Sequence, residues 1–287
     1  MGYADLHIHT KYSGLGILPF LHFPYPESAT EPEEILGVGK RKKIDLLCVT
    51  DHNTIKGALE AEKLEAEMVI VGEEITTEQG EILGLFLNEE IPRGKSAPEA
   101  VDMIHSQGGL AIAPHPYSVL CPSIRDMIFS LELDGIETFN AYHRDGYSNR
   151  IAEIEGKVFR GARTGGSDAH YHEMVGNAYT EFDGFDKDEL FRAIKRCETV
   201  PGGDQTPLIQ GIKWSISVTE LGLMIIMRND EGLFSLEKLN LKRKLAYLAG
   251  GLTYLAFPMP MLCGVVGDAV VKRKGKKLWR EFNCGRK

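Results

Sequence analysis

A chain of 287 residues, 43% hydrophobic and 26% charged, is long enough for one large domain, or one large and one small, and apolar enough to build a full core. That excludes disorder, and a net charge of -8 excludes a protein held non-specifically on nucleic acid by a basic surface. The charge is uneven: from Lys272 to Lys287 the only acid is Glu281. Cys48, Cys121, Cys197, Cys263 and Cys284 are odd in number and form no C-x-x-C pair, which suits free thiols in a reducing compartment. The chain opens on YADLHIH rather than on a basic and apolar leader, so a cytoplasmic location is expected.

Over the first 200 residues short apolar runs alternate with amphipathic stretches. The strand candidates are Tyr3 to Ile8, Ile44 to Val49, Met68 to Val71, Ile82 to Leu87, Leu110 to Ala113, Gly135 to Phe139 and Arg160 to Thr164. The helix candidates between them are Glu31 to Lys42, with Thr30 as N-cap and Pro32 early in the helix, then Thr54 to Glu67, Ala97 to Ser106, Ser123 to Leu131 and Lys187 to Cys197. Such alternation predicts a parallel sheet, open or closed into a barrel. Gly14 to Ala29, with three prolines, reads as a long loop near the end of the first strand. The prolines and glycines of Pro201 to Pro207 mark a boundary between a domain over residues 1–205 and a region over residues 206–287. In that region Ile212 to Asp230 reads as short strands or loops, and Leu245 to Gly267 carries no charged side chain.

Four predicted strands end in groups able to bind a metal: His7 and His9, Asp51 and His52, His115, and Asp168 with His170. Residues i and i+2 of a strand share a face, so His7 and His9 converge, as do Asp168 and His170. In a parallel sheet all such ends lie at one rim, where these folds place their sites. One histidine at a strand end is commonly a plain polar residue; four together point to a metal. Glu73, Glu74 and Glu137 are placed alike. A histidine-rich set with carboxylates suits manganese, zinc or iron better than calcium or magnesium, and more than four candidates argue for more than one ion.

The order and spacing of HIHT, TDH, GEE, HP, GIE and SDAH resemble the polymerase and histidinol phosphatase (PHP) family over about Met1 to Gly203. The resemblance implies a distorted seven-stranded α/β barrel that holds two or three metals and hydrolyses phosphoesters. It implies that His7, His9 and Asp168 bind one metal, that Glu74 bridges it to a second, that His115 and Glu137 complete the second, and that His52 and His170 hold a third. Glu74 is preferred to Glu73 because the family's acid lies two residues after the glycine, here Gly72. Gly14 stands where the family often carries a further ligand, and His22 is the nearest replacement. His105 and Glu81 read as structural, on a helix face and at a strand start.

Two ions about 3.5 to 4 Å apart clamp a phosphate and lower the pKa of a bridging water. The expected reaction is therefore attack of a metal-bridged hydroxide on a small phosphomonoester, a nucleotide or an oligonucleotide end. His52, His170 or a metal-bound water then protonates the leaving oxygen. Arg144 and Arg150 are candidates for the phosphate, with His143 beside them. The competing reading is a metal-binding regulatory or membrane-tethered barrel without catalysis, and a weaker one is hydrolysis of a carbon–nitrogen bond. Gly250, Gly251, Pro258 and Pro260 break the apolar segment 245–267, and both its flanks are basic. It is read as two helices packing on the barrel, about Lys242 to Phe257 and Met261 to Lys272, or as peripheral contact with an anionic membrane through residues 242–277. No obligate protein partner is evident.

Overall fold

The computed structural model describes residues 1–18, 23–228 and 239–285. His22 lies outside them. In chain order the elements are β1 (Gly2–Ile8), β2 (Leu15–Leu18), β3 (Phe23–Pro26), α1 (Pro32–Lys42), β4 (Leu46–Val49), α2 (Lys56–Leu64), β5 (Val69–Thr76), β6 (Glu81–Leu85), α3 (Ala97–Ser106), β7 (Leu110–Ala113), β8 (Gly135–Asn140), α4 (Ser148–Gly156), β9 (Ala162–Gly166), β10 (Ala178–Phe182), α5 (Lys187–Lys195), β11 (Val200–Gly203), α6 (Leu208–Arg228), α7 (Leu241–Leu255) and α8 (Met259–Cys284).

Nine strands form one sheet in the order β11-β10-β1-β4-β5-β6-β7-β8-β9. The sheet curls until its far end meets β1: His9 N–H donates to Ala169 O at 2.9 Å, and Ala169 N–H to His7 O at 3.3 Å. The result is an α/β barrel, with two corrections to expectation. The count is nine, not seven. All seven strands read from the sequence are present, and β10 and β11 add to them by pairing antiparallel beyond β1. Pro201 and two glycines make β11 read as a boundary, but proline is tolerated on an edge strand. The sheet is also mixed. β6 runs antiparallel to both β5 and β7 because only the turn Thr77–Gly80 joins it to β5, too short for a crossover helix.

Strand alternation separates two apolar sets. Leu47, Val49, Val69, Val71, Ala111 and Ala113 pack with α1, α2 and α3, whereas Ala4, Leu6, Leu46, Cys48, Ile70 and Ile112 form a second cluster with Leu190 and Ile194 of α5. A register shift between Asp5 and Ile8 then changes which face of β1 is which. Ala4 and Leu6 belong to the second cluster, yet Ile8 joins the outer set, and His7 and His9 turn toward the polar end of the barrel.

The segment expected as a loop holds the β2–β3 hairpin, and the helix expected at Ser123 to Leu131 shrinks to a 3-10 turn at Arg125–Phe129. Ile212 to Asp230 is not strand or loop: its described part lies in the 21-residue helix α6, whose buried Ile212, Val218, Leu223 and Ile226 recur at helical spacing. α7 matches its expected span closely, whereas α8 runs on to Cys284, well past the expected end at Lys272. Leu278 of α8 is buried in the main core, with Trp279 and Phe282 packed beside it. No single helix among the described residues is long and apolar enough to cross a membrane; α7 and α8 meet that criterion only as a pair bent by 88°.

Candidate metal centre

The polar end of the barrel gathers the expected ligands. Glu74, buried on β5, is the hub: its Oε2 lies 3.4 Å from His7 Nε2, 3.3 Å from His9 Nε2 and 3.1 Å from His52 Nδ1, and its Oε1 lies 3.1 Å from His115 Nε2. Asp168 Oδ1 stands 3.7 Å from His7 Nε2 and 3.4 Å from His9 Nε2. Donor atoms of His7, His9 and Asp168 converge, as do those of His7, Glu74 and His115, and those of His9, His52 and His170. These are the first, bridging and third groups of the expected scheme. Glu73 points away, accepting from Ile91 N–H at 2.8 Å, as strand alternation requires of the neighbour of Glu74.

The second group departs from expectation at Glu137. Its Oε1 lies 3.3 Å from His7 Nδ1, and its Oε2 accepts from His115 N–H and Asn140 Nδ2, each at 2.8 Å. It stands behind His7 and His115, the usual place of a carboxylate that would fix a metal-binding histidine. Ser13 serves His9 in the same way, 2.9 Å from Nδ1 and donating at 2.8 Å to Asp51. Asp51 is thus a support within the TDH motif, tied also to Thr10.

Three groups join the site that were not expected among the metal ligands. Glu81 forms a convergent set with His52 and Glu74, so its position at a strand start is not merely structural. Its signal was pairing across the β5–β6 turn, invisible until β6 is known to run backward. His143 converges with His115, Cys121 and Asp168, and both of its ring nitrogens are buried without a hydrogen-bond partner. Glu27 enters from the end of the β2–β3 hairpin, with Oε2 4.0 Å from His170 Nε2. Gly14 has φ of 82°, a conformation costly for an aspartate or histidine, and the Glu27 carboxylate lines the same cavity. His105 is structural as expected, bound to Asp134 at 2.8 Å.

Two predicted phosphate ligands are not brought to the site. Arg144 pairs with Asp268 of α8 at 2.9 Å and donates to Thr206 O at 2.7 Å, while Arg150 lies 4.4 Å above the ring of Trp279. Neither lines the cavity of about 1270 Å³ over the metal centre; the cations that do are Lys56 and Arg93.

Burial alone would raise the carboxylates and lower the histidines, but mutual attraction overrides it at the centre. Asp168 and Glu74 are held well below the usual carboxylate range by the surrounding imidazoles. His7 is held well above the usual range by Asp168, Glu74 and Glu137, and His9 and His115 rise to about 9. At the margin burial wins: His52 falls to about 4, His170 to about 3 and His143 to about 4. The buried, unpartnered Nε2 atoms of His7 and His9, aimed at two ionised carboxylates, fit a divalent cation that replaces those protons. His115 and Asp168 hold left-handed backbone, φ 27° and 51°, a strain tolerated where ligand direction matters.

A family model described as PHP-associated matches residues 146–199, from the start of α4 to β11 and ahead of residues 206–287. Uncharacterized protein MJ1587 of Methanocaldococcus jannaschii is 57% identical over 152 residues, covering 52% of this chain and 88% of its own. A two-domain protein of Bacteroides vulgatus, described as containing a predicted PHP-like metal-dependent phosphoesterase, superposes with a TM-score of 0.55 at 15% identity, over 70% of this chain and 64% of that one. The chain belongs to the PHP family. It thus spans just under two thirds of the Bacteroides protein. PsfC of Pseudomonas syringae superposes with a TM-score of 0.56 at 16% identity, over 77% of this chain and 98% of PsfC.

Proposed function

We propose that this protein is a metal-dependent phosphoesterase. The observation that carries the reading is the carboxylate of Glu74 within reach of four imidazoles beneath a cavity lined by Lys56 and Arg93. His7, His9, Asp168 and Glu74 would hold one divalent ion, Glu74 and His115 with His143 a second, and His52 and His170 a third. Manganese, zinc and iron suit this nitrogen and oxygen set. Such ions, when bound, supply Lewis-acid polarisation of a phosphoryl oxygen and a water acidic enough to attack near neutral pH.

The chain's own residues do the rest. Lys56 and Arg93 stand where a phosphate dianion needs charge-assisted donors, the role first expected of Arg144 and Arg150. His52, His170 and Glu27 line the same wall of the cavity, and His52 or His170 is assigned to pass a proton to the leaving oxygen only where no third ion occupies them. Asp168 faces the Nε2 atoms of His7 and His9, as Glu74 does. The cavity admits a small phosphomonoester, a nucleotide or an oligonucleotide end.

Purified protein supplied in turn with manganese, zinc and iron is expected to release inorganic phosphate from a chromogenic phosphate ester, and to stop on chelation. No release with any of the three, while elemental analysis shows the metals bound, overturns the enzymatic reading in favour of a regulatory metal-binding barrel.

A further inference from the structure

Beside the metal cavity lies a second hollow of about 440 Å³, between α6 and α7 and lined chiefly by carbon, including Val218, Ala246, Tyr247 and Gly250. The two hollows share a wall made of Tyr25 and Trp214. Trp214 is fixed there. Its Nε1 donates to Glu27 O at 2.8 Å, its ring meets His170 edge-on at 6.0 Å between centroids, and Tyr25 stands 6.3 Å away. A Cβ at Gly250 would meet nothing within 4 Å, so the groove beside α7 is open because a helix position carries no side chain.

The surroundings favour a ligand that is apolar at one end and anionic at the other. Leu252 of α7, Phe257 in the turn, and Leu262 and Val266 of α8 are exposed, Phe257 by 88%. In a chain of net charge -8, residues 241–285 hold nine lysines and arginines against two acids. An apolar stretch with basic flanks matches the surface of an anionic lipid layer.

We infer that the substrate class is a phosphomonoester carrying an apolar chain, with the phosphate in the metal cavity, the first carbons crossing Trp214 and Tyr25, and the chain in the hollow between α6 and α7. The inference rests on the phosphoesterase reading. Water gives one oxygen to phosphorus, the bond from phosphorus to the ester oxygen breaks, and that oxygen leaves with a proton; the products are inorganic phosphate and a long-chain alcohol.

The test uses the full chain, loaded with the metal that serves best, and alkyl phosphates from ethyl to dodecyl below their micelle concentrations. Ala246→Phe and Gly250→Leu, at exposed helix positions outside the metal centre, narrow the hollow. kcat/KM is expected to rise roughly threefold to fourfold per methylene until the hollow is full, as about 0.8 kcal/mol per buried methylene requires. Both variants should cut dodecyl phosphate turnover at least tenfold and leave ethyl phosphate unchanged. Rates independent of chain length, or a gain that survives both variants, overturn the proposal. In parallel, dodecylphosphonate and ethylphosphonate are titrated against tryptophan fluorescence. If no ester is hydrolysed, the phosphoesterase reading alone fails, and tighter binding of dodecylphosphonate that both variants abolish still supports the hollow; equal binding of the two phosphonates removes it.

Discussion

Glu137 and Asp168 look interchangeable in the chain, each an acid at the end of a strand, but they stand on opposite sides of the ligands. Asp168 faces the unpartnered Nε2 atoms of His7 and His9; Glu137 holds His7 by Nδ1 and His115 by its backbone. Their substitutions should therefore differ in kind. Asp168→Ala removes the carboxylate proposed as a charge-neutralising ligand, so metal content and activity should vanish together. Glu137→Gln keeps a hydrogen-bonding shape behind the ligands, and the metal affinity should fall roughly 10- to 100-fold, as for other orienting partners. Isothermal titration of chelated protein with zinc separates the two. Equal and complete loss in both would return Glu137 to the ligands.

What the chain reveals of this centre follows from spacing. His7 with His9, and Asp168 with His170, are legible because the period of a strand is two. Glu81 and Glu27 are not, since each depends on a turn or a hairpin whose direction no local pattern records, and His143 is legible only as a neighbour of the candidate arginines. The arginines mislead for a related reason: Arg144 and Arg150 follow a strand end as a phosphate ligand would, but partners more than a hundred residues away claim them.

Among elements, the seven barrel strands and the helices α1, α2, α3 and α5 are visible as alternating patterns, whereas α4, β10 and β11 are short, and the WSISVT run of α6 alternates like a strand. Packing between elements is then set by single half-buried polar groups. Asp134, just before β8, accepts from Ala111 N–H of β7 at 2.9 Å and pairs with His105 of α3 at 2.8 Å and Lys195 of α5 at 2.7 Å. Burial would raise its carboxyl, but Lys195, the Ala111 amide and His105 lower it below its ordinary value of 3.8. A carboxylate depressed in the folded state stabilises above its unfolded pKa, and that contribution disappears as pH falls through the folded value. The unfolding free energy of Asp134→Asn should thus lie below that of the natural protein by a constant amount from neutral pH down to about 5, and the gap should close in more acid solution. Urea titrations at a series of pH values measure it. A gap that widens toward acid contradicts the assignment.

At the scale of the whole molecule, the question is whether α7 and α8 hang from the barrel or complete it. Composition suggests an appendage: a boundary rich in proline and glycine precedes α6, and the acids of the first two thirds give way to a basic end. Contacts argue the other way. α8 places Leu278 in the main core beside Trp279 and Phe282, Asp268 holds Arg144, and the close approach of Gly275 to Asp145 leaves no room for a Cβ. Trp279 also stacks on Tyr147, 5.7 Å between centroids, and receives Arg150, so the start of α4 leans on α8. If the helix completes the core, Leu278→Ala should cost about 2 to 5 kcal/mol, the range for a leucine removed from a packed interior. A chain ending at Asn240 should then lose its cooperative urea transition, because the barrel face under α8 is exposed. If it is an appendage, the truncated barrel keeps both its transition midpoint and its metal content, and Leu278→Ala shifts stability by less than about 0.5 kcal/mol, as a surface substitution does. The single substitution decides the matter even where the truncated chain aggregates, since it leaves the exposed surface of α7 and α8 as it was.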